Sequence, residues 1–77
     1  MINYIAVSIG DNIYAGEYVN LSKEDSEEEI HIKQSNGSNI ELCIPVTGLN
    51  YIITMDGKKY EEQTKIKKVL NRLLETN

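Results

Sequence analysis

The sequence predicts an α+β domain: an antiparallel meander of about five strands packed against one C-terminal amphipathic helix. Three observations predict it. First, Ile66, Val69, Leu70, Leu73 and Leu74 recur at i, i+3, i+4, i+7 and i+8, the spacing of one helical face. Second, the upstream residues alternate: Ile5, Val7 and Ile9 interleave with Tyr4, Ala6 and Ser8. Third, turn-forming clusters separate the apolar runs, at Gly10-Asp11-Asn12, Ser35-Asn36-Gly37-Ser38 and Asp56-Gly57. A short amphipathic helix is marginal alone in water, so its stripe needs an apolar partner, and the sheet supplies one. Residues 1–77 form one domain, with a small core.

A first strand is predicted over Ile2–Ile9 and a second over Ile13–Leu21. A three-residue loop at 10–12 would pair Ile9 with Ile13, Val7 with Ala15 and Ile5 with Glu17. The opposite face would then pair Tyr4 with Tyr18 and Ala6 with Gly16. Ser22 to Glu29 has no apolar periodicity and is expected as a loop. Ile30 and Ile32 begin a third strand ending near Gln34. The Asn36-Gly37 pair is a strong hairpin signal. An odd loop over 36–38 places Ile32 opposite Leu42, Ile30 opposite Ile44 and Lys33 opposite Glu41, which gathers the aliphatics on one face. The fourth strand spans about Asn39–Val46, and Pro45 marks its end, a bulge or an edge. A fifth covers Tyr51–Met55, with a short extended piece at Lys58–Tyr60. Glu61 and Glu62 suit a helix's first turn, so the helix is expected over 61–75.

Composition narrows the function classes. The core must be aliphatic: there is no Phe or Trp, and there are 11 Ile. One cysteine, Cys43, excludes an intramolecular disulfide. Residues 1–9 lack the basic start of a signal peptide, and no apolar run approaches a membrane span, so a cytoplasmic protein is expected. The net charge is −4. Residues 1–57 carry most of the acids, whereas Lys58, Lys59, Lys65, Lys67, Lys68 and Arg72 crowd the C-terminal end. Net acidity argues against direct nucleic-acid or anionic-membrane binding.

Catalysis has little sequence support, and no enzyme is expected. His31, the only histidine, would stand across from Cys43. A Cys–His pair can activate a thiolate or hold zinc, but it lacks further convergent groups. No phosphate-cradling glycine loop or calcium loop is present. No metal or cofactor is expected.

Two features point instead to binding. Glu24, Asp25, Glu27, Glu28 and Glu29 crowd one segment with like charge, a self-repulsion that favours no fold. Tyr4, Tyr14 and Tyr18 would share one face of the first hairpin, with a dip at Ala6 and Gly16. Tyrosine suits binding surfaces because it joins apolar area to a polar tip. The expectation is a small acidic protein-interaction module, an inhibitor or regulator that binds a basic, nucleic-acid-handling protein. The alternative is an oligomeric small-ligand or nucleotide binder with its pocket between chains. The first strand and the Pro45 strand are expected at sheet edges, where a homodimer could form.

Overall fold

A computed structural model of the chain describes residues 2–34 and 40–75. Its strands are β1 (Tyr4–Ile9), β2 (Asn12–Glu24), β3 (Glu27–Gln34), β4 (Glu41–Pro45), β5 (Leu49–Ile53) and β6 (Lys59–Tyr60). The helix α1 spans Gln63–Glu75. Among the described residues the strands form one antiparallel sheet in the order β4-β3-β2-β1-β5-β6. This is the expected α+β architecture, with β6 as the short extended piece.

The β3–β4 register is the expected one. Ile32 faces Leu42, Ile30 faces Ile44 and Lys33 faces Glu41. The Ser35–Ser38 turn itself lies outside the described residues. Pro45 ends β4, and a single 3-10 turn at Val46–Gly48 carries the chain into β5. The β5–β6 connection closes through Asp56-Gly57, with Gly57 at φ +83.

The β1–β2 register is not the expected one. The loop is two residues, Gly10 and Asp11, so Ile9 pairs with Asn12, Val7 with Tyr14 and Ile5 with Gly16. Gly10 at φ +57 makes the tight turn feasible. This moves the β2 side chains up to Tyr18 to the opposite face from the one expected. Tyr14 and Tyr18 therefore lie on the core side and Tyr4 on the other.

A second correction concerns Ser22–Glu29, which is not a loop. β2 runs on to Glu24 and β3 starts at Glu27, joined by a two-residue turn at Asp25-Ser26. Both turn residues have positive φ, +49 and +68, as a primed hairpin turn demands. A register shift between Tyr18 and Asn20 leaves Val19 without a direct partner. This bulge switches the side-chain alternation of β2. Before it, Tyr14, Gly16 and Tyr18 face the core. After it, Leu21 does, opposite Ile30, and Asn20, Ser22 and Glu24 face outward.

The core lies between the inner sheet face and the helix. Ile5, Val7, Tyr18, Ile30, Ile32 and Ile52 meet Ile66, Val69 and Leu70 there, all buried. Leu73 and Leu74 pack against this cluster and are half-buried. Two side-chain amides fix the helix ends. Gln63 donates to the carbonyls of Val46 at 2.9 Å and Leu49 at 3.2 Å. Asn3 donates to the carbonyl of Leu73 at 3.1 Å. β1 is central, paired with β2 and β5, so the edges are β4 and β6. The expected β1 edge is thus corrected, because β5 covers it.

Candidate functional site: the outer face of the sheet

Among the described residues the helix covers one face of the sheet and no element packs on the other. Pairing places Tyr4, Ala6 and Ser8 of β1 on the other face, beside Ile13, Ala15 and Glu17 of β2, with Ser8 itself buried among its neighbours. Tyr51 and Ile53 extend it through β5, opposite Ser8 and Ala6. Ile13 is 63% exposed and Tyr4 45% exposed, unusual for large apolar groups on a sheet. The Lys59 ammonium sits 4.3 Å from the Tyr51 ring centroid, a cation–π contact at one end of this apolar half. Asn50 donates to Ser8 Oγ at 3.3 Å and to the Gly10 carbonyl at 3.0 Å, which satisfies the polar group within the patch.

The other half of the face is acidic. Glu17 stands opposite Lys33, and Lys33 opposite Glu41, so one row crosses three strands. Glu24 faces Glu27, and Ser22 faces Glu29, on the same outward side. The expected acidic cluster is therefore divided. Glu24, Glu27 and Glu29 belong to the outer face. Asp25 caps the hairpin tip. Glu28 lies on the core side opposite Lys23.

The tyrosine trio is not one surface. Tyr4 alone is outward and exposed. Tyr14 is half-buried and packs on the core. Tyr18 is 2% exposed and belongs to the core itself. The cause is the two-residue loop, which set β2 in the other register. Among the described residues the Tyr18 hydroxyl has no hydrogen-bond partner. Burial pushes its ionisation well above the ordinary tyrosine value, and the nearby Glu28 charge adds to the shift.

At the acidic end the register assembles a side-chain relay. His31 is directly across from Cys43, as expected. Its Nε2 is 2.8 Å from Ser22 Oγ and its Nδ1 is 2.8 Å from Glu41 Oε1. Cys43 Sγ lies 3.5 Å from the same Nδ1, a looser contact. Sequence reasoning missed Ser22, since Ser22–Glu29 shows no apolar period and reads as a loop, whereas β2 runs on to Glu24. It placed Glu41 opposite Lys33, as the register has it, but not the reach of its carboxylate to His31. No group of three or more His, Cys, Asp or Glu suited to hold a metal occurs among the described residues.

Among the described residues two open concavities lie at the sides of the molecule, one of about 370 Å³ between β6 and the start of the helix, lined by Lys59, Tyr60, Glu61, Glu62 and Lys65. The other groove, of about 230 Å³, runs between β1, the β5–β6 turn and the end of the helix, past Tyr4, Met55, Asp56 and Arg72. It is open to solvent and smaller than an ordinary ligand pocket. Thr54 Oγ1 and the Lys58 amide both donate to the Asp56 carboxylate, which holds its ionisation below the usual value. No helix among the described residues is long and apolar enough to cross a membrane. Searches against family models, curated proteins and solved structures find no match for this chain.

Proposed function

We propose that the chain is a protein-interaction module whose outer sheet face docks on a protein with a basic surface. One observation carries the reading: the uncovered face joins an apolar half, with Tyr4, Ile13 and Ala15, to an acidic half, with Glu17, Glu24, Glu27 and Glu41. Exposed ion pairs are each worth only about 0–1 kcal/mol, so charge alone holds a partner poorly. Apolar contact beside the charge supplies the desolvated centre that binding needs. The carboxylates steer a basic partner and set its orientation. A surface of carboxylates competes with phosphate for the same lysines and arginines. A partner that handles nucleic acid would therefore be inhibited or regulated by occupancy.

The test uses a partner recovered by affinity capture. Replacing Glu24 and Glu27 with lysine should slow association and flatten its dependence on salt, while Tm stays nearly unchanged. Replacing Ile13 with aspartate should speed dissociation instead. Equal association rates at low salt for the wild type and the double lysine variant would sink the reading.

A further inference from the structure

We infer that Ser22 is an activated nucleophile that accepts acyl groups from carboxylic esters, with His31 as its base and Glu41 as the residue that positions the base. The inference rests on the relay alone and is independent of the docking proposal. Three strands contribute one side chain each: Ser22 from β2, His31 from β3 and Glu41 from β4. The contacts run hydroxyl to Nε2 and Nδ1 to carboxylate, both at 2.8 Å. That is the order of roles a serine nucleophile needs: a base on the hydroxyl, and an acid group on the far ring nitrogen that fixes the tautomer. With Nδ1–H donating to Glu41, Nε2 carries the lone pair that faces the Ser22 hydroxyl.

The fold, and not the loop chemistry of common hydrolases, sets this geometry. Without the Val19 bulge the alternation of β2 would aim Ser22 inward with Tyr18. The bulge turns Ser22 outward, diagonal to His31, and β4 brings Glu41 to the other side of the ring. His31 is held on both sides, with only 20% of its side chain exposed. Asn20 is exposed directly across from His31, two residues before Ser22 on the same face. A side-chain amide on that face is the kind of donor that stabilises an ester oxygen as negative charge builds there.

The step balances as follows. Ser22 Oγ bonds to the carbonyl carbon, and its proton passes to His31 Nε2. The carbon–oxygen bond to the leaving group breaks, and His31 returns the proton to that oxygen, releasing an alcohol or phenol. Water then attacks the acyl-serine by the reverse proton path, freeing a carboxylic acid and restoring Ser22. Glu24, Glu27 and Glu29 surround the site, so it favours neutral or cationic esters over anionic ones. Ser22 lies on an open sheet face, so small activated esters are the fitting substrate class.

The experiment treats the full chain with p-nitrophenyl acetate, and separately with a fluorophosphonate that bonds irreversibly to activated serines with loss of fluoride. Peptide mass mapping should place the phosphonyl group on Ser22. Ser22→Ala and His31→Ala should each lower nitrophenol release on the order of a hundredfold, the scale of one general base. Glu41→Gln should slow it as well, and Glu41→Asp should recover part of the rate. The ring-nitrogen shifts of His31 should show the Nδ1–H tautomer in the wild type and its loss in Glu41→Gln, in step with the rate, and the partial recovery in Glu41→Asp is what a merely structural carboxylate would not produce. Labelling confined to Cys43 or to lysines in the wild-type chain would overturn the inference. So would an equal rate in the Ser22→Ala chain.

Discussion

Asn3 reaches from the start of β1 to the last turn of the helix, where its side-chain amide donates to the Leu73 carbonyl at 3.1 Å. The Asn3 carbonyl meanwhile accepts from the Tyr18 amide at 2.8 Å. One buried residue thus ties the helix end to both β1 and β2. The terminal carbonyls of a helix lack intrahelical donors, so a side chain that reaches one steadies the end. Asn3→Ala should lower stability by about 1–2 kcal/mol, the cost of a part-buried hydrogen bond and its desolvated partner. Amide exchange in the last helical turn should quicken more than exchange in β3. A loss of stability with no change in that turn would contradict the assignment.

Gly16 has no room for a side chain. A Cβ there would lie 2.4 Å from the Lys33 carbonyl oxygen and 2.8 Å from Ile32 Cγ2. The first of these is backbone in the paired strand, so relief means separating β2 from β3. Gly16→Ala should cost about 1–3 kcal/mol or more, as overpacking does. Gly10→Ala meets no atom, and its cost comes only from the positive φ. Denaturant midpoints of the two variants compare these mechanisms directly. A Gly16→Ala chain as stable as the wild type would refute the β2–β3 packing.

Tyr18 makes stability sensitive to alkali. Its folded-state ionisation is raised above the ordinary tyrosine value of about 10. The neutral hydroxyl is therefore favoured by the fold, and its contribution is complete below that pH. Above about pH 10 the unfolded chain ionises first, and stability falls as pH rises towards the folded value. Tyr18→Phe should flatten that decline. At pH 7 it should be neutral or stabilising on the order of 1 kcal/mol, because it deletes a buried hydroxyl without a partner among the described residues. An equally steep alkaline decline in the Phe variant would contradict this.

Leu70 is fully buried against the sheet, and Asn71 beside it is exposed. Leu70→Ala should cost about 2–5 kcal/mol, a large share for so small a core. Asn71→Ala removes only a surface bond from its amide to the Lys67 carbonyl. If urea midpoints for the two variants coincide, the helix does not pack on this face.

What could be read from the residues followed where the physics is strictly periodic. The helix stripe and the β3–β4 register each have one consistent apolar face, so Ile66, Leu70, Ile32 and Leu42 took their expected places. β2 resisted for the opposite reason. The bulge at Val19 switches its buried side midway, so no single alternation describes Tyr14, Tyr18 and Leu21 together. The acidic hairpin resisted because its end extends past the core. With little to bury, Ser22 through Glu29 shows no apolar period, and only the Asp25-Ser26 turn geometry reveals the strands. The outer face inherited both errors. Its acids were legible as a charge run, but their division between two faces was not, and neither was the loss of Tyr18 to the core.

The central claim, that the apolar and acidic halves of the outer face bind one partner together, is tested most directly by comparative affinity capture from the native cell. Three baits suffice: the wild-type chain, Glu24→Lys with Glu27→Lys, and Ile13→Asp, each confirmed folded by its melting curve. A protein with a basic surface should be recovered on the wild-type bait, released by salt and lost from both variants. Recovery of the same proteins on all three baits would contradict it.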